Sequence, residues 1–158
     1  MKRLIFVVAV AMAAMLSGCA TGPMTPPLSV VTIHEAPGKT KADVCRSARD
    51  WAARTYKDSK AVVEVYDLDA GTMIGKGSMS TYALLTPVYV AYTLQVECKD
   101  GRARSTFDGF LWGTQPGNIT APITGDTALG IPESVRLRIE KLSTDLGASL
   151  NARKTDDF

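Results

Sequence analysis

The sequence predicts an α+β two-layer sandwich, an antiparallel sheet with two helices on one face, in the order β-α-β-β-β-β-α. Three observations carry this expectation. Val44, Ala48, Trp51, Ala52 and Tyr56 recur at helical spacing, and so do Val135, Ile139, Leu142, Leu146 and Leu150. Between these stretches lie two pairs of strand-like runs joined by turn chemistry, Asp69-Ala70-Gly71 and Asp100-Gly101. In both pairs apolar side chains gather on one face and mixed polar ones on the other, so one sheet face must be covered.

The N-terminus reads as an address. Lys2 and Arg3 precede Leu4–Leu16, an uninterrupted run of 13 apolar residues. At about 1.5 Å per residue this run is too short for a bilayer core of about 30 Å, and it suits the apolar region of a secretory signal. It ends in Leu16-Ser17-Gly18-Cys19. This tetrapeptide resembles the lipobox of bacterial prolipoproteins, in which small residues admit the signal peptidase and the thiol after the cut accepts diacylglycerol. The resemblance implies cleavage between Gly18 and Cys19, lipid attachment at Cys19, and anchoring to a membrane through two or more acyl chains. Ala20 in place of an aspartate implies the outer membrane, facing the periplasm, in a Gram-negative host.

Processing changes the charge balance. Lys2 and Arg3 leave with residues 1–18, and sixteen basic side chains then face sixteen acidic ones. A nucleic-acid binder is expected to be clearly positive, so no nucleic-acid partner is expected. Cys45 and Cys98 remain as an even pair in an oxidising compartment, which makes them candidates for a disulfide. Such a bridge would close a loop worth about 4 kcal/mol of chain entropy.

Residues 19–28 are rich in proline and read as an extended tether. A single domain is expected over 29–150, and 151–158 reads as a C-terminal tail. The first strand is expected over Ser29–Glu35, ended by Pro37-Gly38, and the first helix over Lys39–Lys57, with Cys45 at the border of its apolar face. Ala61–Leu68 should pair with the segment after Gly71 so that Glu64 meets Lys76, Tyr66 meets Ile74 and Val63 meets Gly77. Gly75 and Gly77 would then leave room on the inner face beside Val63 and Val65.

Pro87–Cys98 is the strongest strand, with Val88, Val90, Tyr92, Leu94, Val96 and Cys98 on one face. A two-residue turn at Asp100-Gly101 would set Glu97 opposite Arg104, Leu94 opposite Phe107 and Cys98 opposite Ala103. Residues 113–131 read as a long loop rich in glycine, proline and threonine, either functional or mobile. Its Asn118-Ile119-Thr120 matches a glycosylation sequon that a bacterial chain carries by chance. Pro132 and Glu133 open the last helix.

Trp51, Ser59-Lys60-Ala61-Val62-Val63, Gly75-Lys76-Gly77, Tyr92-Thr93-Leu94 and Lys99-Asp100-Gly101-Arg102 resemble, in order and spacing, a bacterial domain family of unknown function. That family is described as having a fold like that of the TATA-box-binding protein. The resemblance spans about residues 39–112 and implies a strand order of 1-5-4-3-2. It brings no catalytic residues and no DNA binding, because fold does not fix function.

Catalytic chemistry finds little purchase. His34 is the single histidine, and no G-x-S-x-G elbow accompanies it. Asp67 and Asp69 flank a turn, where aspartate is favoured for local hydrogen bonding. Gly75-Lys76-Gly77 lacks the phosphate-loop pattern, and no metal-ligand spacing or cofactor motif is present. The expected role is a non-catalytic binding or scaffolding module of the envelope. The alternative is an envelope hydrolase acting on glycan or peptide through two of Glu64, Asp67, Glu97 and Asp108. Tyr66, Ile74, Lys76, Tyr89, Gln95, Arg104 and Phe110 are expected on the uncovered sheet face as candidate contacts for an envelope protein, a peptide or a glycan, with Ala91 and Glu64 beside them.

Overall fold

The computed structural model describes residues 25–56, 62–127 and 130–152. The signal segment, Gly18, Cys19 and residues 20–24 of the tether lie outside them. Strands β1 (Val30–Glu35), β2 (Val62–Asp67), β3 (Thr72–Ala83), β4 (Thr86–Lys99), β5 (Arg102–Gly113) and β6 (Ala121–Pro122) form one antiparallel sheet. Helices α1 (Lys41–Thr55) and α2 (Ile131–Asn151) complete the chain. The order across the sheet is β1-β5-β4-β3-β2, as the resemblance implied, and β6 adds to β5 beyond the end of β1.

Local chemistry accounts for the element ends. Thr40 caps α1, its hydroxyl accepting from the Asp43 amide at 3.2 Å and donating to the Asp43 carboxylate at 2.8 Å. The Lys41 amide donates to Asp100 Oδ1 at 2.6 Å, so the β4–β5 turn also serves the helix start. Gly71 takes a left-handed φ of +67°, and a β-carbon there would press on the Cys98 carbonyl. Asp67 Oδ1 accepts from the Ala70 amide at 2.8 Å, closing the same turn.

The core lies between the helices and one sheet face. Val44, Ala48, Trp51 and Ala52 of α1 meet Val135, Ile139, Leu146 and Leu150 of α2 over β4, all buried. The β4–β5 register is the expected one at Leu94–Phe107, Glu97–Arg104 and Cys98–Ala103. Cys45 and Cys98 form a disulfide with Cα atoms 5.6 Å apart, stapling α1 to β4.

Two strands depart from the expected register. β2 slips so that Tyr66 pairs with Met73 and Val65 with Ile74, and a bulge between Val63 and Val65 places Val63 against Gly75. Tyr66 therefore lies on the helix side with its ring under the Arg49 guanidinium, 4.8 Å from carbon to centroid. Val65 turns outward, and the room at Gly77 is filled by the Tyr92 ring. In β5, pairing shifts between Ala91–Leu111 and Thr93–Asp108 at Gly109, whose φ is +60°. The extra residue turns Phe110 inward, where it is 3 % exposed and packs on Tyr92 at 5.8 Å.

Three further readings are corrected. Residues 113–131 are not all loop, because β6 pairs with Leu111–Trp112 and Ile123 is buried. Leu28 is core rather than tether, its amide donating to the Ile123 carbonyl at 3.1 Å. Asn151 belongs to α2, its side chain donating to the Glu35 and Gly147 carbonyls at 2.8 and 3.1 Å.

Candidate functional site

The helix-free sheet face carries a groove of about 700 Å³. Its floor is low where Ser78 and Ala91 pair across β3 and β4, and where Gly109 in the β5 bulge, beside Thr93, carries no side chain. Tyr89 and Leu111 stand up from β4 and β5. The turn after β5, closed by an isolated bridge between Gln115 and Asn118, brings Pro116 and Ile119 over the sheet as a further wall. Lys76 marks one end, its ammonium 2.8 Å from the Glu64 carboxylate across the β2 bulge.

The structure brings together only part of the expected contact set. Lys76 and Tyr89 line the groove. Ile74 and Gln95 pair on the same face, one row further along the sheet. Arg104 lies at the opposite end, in a separate depression of about 220 Å³ with Ile33 and Arg102, and is ion-paired to Glu97. Tyr66 and Phe110 are not on this face. The sequence reading missed Ser78, Leu111, Pro116 and Ile119. A glycine at 109, inside an otherwise continuous strand pattern, was the available signal for the bulge that exchanges Phe110 for Leu111.

The four acidic groups weighed for hydrolysis do not converge on the groove. Glu64 is engaged by Lys76, Glu97 by Arg104, and Asp67 by its own turn. Asp108 pairs across from Thr93 at the groove's edge. Among the described residues, no cluster of three or more His, Cys, Asp or Glu side chains could hold a metal ion. Among the described residues, Lys76 is the one ionisable side chain other than tyrosine that lines the groove.

His34, next to last in β1, is buried. Its Nε2 lies 2.9 Å from Ser105 Oγ and 3.4 Å from Ser143 Oγ, joining β1, β5 and α2. Burial holds the imidazole below its ordinary pKa, in the neutral form. Both serines are also buried, so the cluster faces the interior and not the groove. A second polar contact, Tyr92 donating to the Tyr56 hydroxyl at 3.1 Å, bridges β4 and the end of α1, and burial raises both phenols.

Comparison with known proteins decides the family. The family described as "Domain of unknown function (DUF4468) with TBP-like fold" matches residues 32–111, half of the chain. The chain belongs to the DUF4468 family. Two solved structures share its fold. A TBP-like protein from Parabacteroides distasonis aligns with a TM-score of 0.65 and 16 % identity over 83 % of this chain and 98 % of the other. A DUF4468 family protein from Bacteroides ovatus aligns with a TM-score of 0.61 and 15 % identity over 83 % of this chain and 92 % of the other. No curated protein matches the chain. The matched segment begins at Thr32 and ends at Leu111. It contains the groove floor and Tyr89, but not the wall made by Pro116 and Ile119.

Proposed function

We propose that this DUF4468 protein is a lipid-anchored, non-catalytic binding module of the bacterial cell envelope, and that its groove holds a segment of another envelope protein. The groove on the helix-free face is the observation that carries this reading. Leu111, Pro116 and Ile119 offer apolar walls, while the hydroxyls of Ser78, Ser80 and Thr93 are placed to meet peptide groups. A single ammonium, already engaged by Glu64, gives no basis for phosphate recognition. The lipobox at Leu16–Cys19 supports the compartment and the attachment at Cys19. The balanced charge of residues 19–158 supports a partner other than nucleic acid.

The test is a photo-crosslinking residue in place of Tyr89 or Leu111 in living cells, with Arg136 and Glu140 on α2 as controls. A discrete polypeptide adduct from the groove sites alone supports the reading. Adducts from α2 alone overturn it, and a glycan adduct from the groove replaces a protein partner with a saccharide.

A further inference from the structure

The β3–β4 hairpin projects an apolar tip. Leu84 and Leu85 form its two-residue turn and are 80 % and 95 % exposed, and Tyr82 beside them is 68 % exposed. Leu84 has a φ of +56°, a conformation that favours glycine or asparagine. A leucine there costs backbone energy and gains nothing from the core. Such outliers recur where a side chain is needed for contact.

The strand segments around the tip are uncharged. No Asp, Glu, Lys or Arg occurs from Gly77 to Val96, nor from Gly109 to Gly125, nor from Cys19 to His34. The topology brings parts of these segments, residues 80–89, 111–124 and 25–30, toward one end of the sheet. The start of β4 pairs with the end of β5, β6 follows on the same strand, and Pro27 bridges to Thr124. The chain therefore enters the domain at the end where the tip stands. Asp126, Glu133 and Arg138 lie toward this end from the α2 side, Arg138 donating to the Ser80 carbonyl. The paired charges Glu97–Arg104 lie toward the opposite end.

We infer that Leu84 and Leu85, with Tyr82 at their base, form a second membrane contact that enters the lipid leaflet holding the acyl chains of Cys19. This rests on the lipid-anchor reading. Five residues lie between Cys19 and Thr25, and the six steps of chain reach at most about 20 Å, so the end bearing the tip stays close to the lipid surface. Two leucines then enter the acyl region, tyrosine takes the headgroup level, and the hairpin itself brings no ion into the apolar layer. The groove, which opens beside Tyr89 and Ser80, is brought near the membrane by the same arrangement.

The test uses the full lipidated chain in vesicles of phosphatidylethanolamine and phosphatidylglycerol. Leu85→Cys carries an environment-sensitive fluorophore, with Arg102→Cys at the far end of the sheet as control. The tip label should shift to the blue, be quenched by nitroxide on the lipid, and be at least about threefold less accessible to aqueous iodide than the control label, as partition of an apolar tip requires. Equal iodide access at both positions in a chain that floats with vesicles overturns the tip contact and leaves the anchor standing. A label shielded from iodide but not quenched by lipid nitroxide also overturns it, indicating contact with protein. Mass analysis showing no acyl chain on Cys19, with no flotation, overturns the anchor and this inference together.

Discussion

Gly77 lies beneath the Tyr92 ring, so close that a β-carbon would stand 2.5 Å from it. The space left on β3 is occupied by an aromatic side chain of β4, which in turn packs on Phe107 and Phe110 and reaches the Tyr56 hydroxyl. Gly77→Ala should force the ring off its site and destabilise the domain by about 1–3 kcal/mol, the usual range for overpacking. Chemical denaturation measures it. An unchanged midpoint would mean that the ring moves freely.

The bulge at Gly109 makes a sharp contrast between neighbours. Phe110→Ala removes a ring from the core and should cost about 3–5 kcal/mol. Leu111→Ala, on the groove wall, should stay within about 0.5 kcal/mol. Equal losses at the two positions, measured by urea unfolding, would contradict the exchange of faces.

The Cys45–Cys98 bridge closes a sequence separation of 53 and should contribute about 4 kcal/mol by restricting the unfolded chain. Guanidinium unfolding with and without reductant should show that difference. Non-reducing mass analysis of the purified domain should find no free thiol at either position.

The buried imidazole gives a pH signature. His34 in the folded protein holds its proton less well than the ordinary value of 6.5, because burial disfavours the charged ring. As pH falls below that value the unfolded chain binds the proton first, so stability is full above about 6.5 and declines below it, by at most about 1.4 kcal/mol per pH unit. His34→Asn should lower stability overall and lose the slope between about pH 5 and 6.5, above the range where carboxylates titrate. A slope that survives the substitution would assign it elsewhere.

Loss of the anchor is the simplest test of location. Cys19→Ser should release the chain from the membrane fraction, since the acyl chains supply the proposed anchoring. Fractionation with unchanged membrane association would reject the lipobox reading.

Local rules made much of this protein legible in its sequence. Asp100-Gly101 determines a two-residue turn, and a fixed turn fixes the register, so Glu97–Arg104 and Leu94–Phe107 could be named in advance. The same period-2 logic put Cys98 on the inner face, within reach of Cys45 one helix away. What escaped depended on single-residue insertions. Extra residues at the β2 bulge and at Gly109 reverse the side-chain phase, which sends Tyr66 and Phe110 inward and Val65 and Leu111 outward. The groove wall was equally invisible, because Pro116 and Ile119 meet the sheet only once β6 folds back on β5. Sequence by itself determined the two layers and the β4–β5 register, since each follows from patterning or from neighbours along the chain, while the strand order came from the family resemblance. Tertiary structure alone decided which side chains share the open face, since a bulge depends on how two strands settle against each other and against the core.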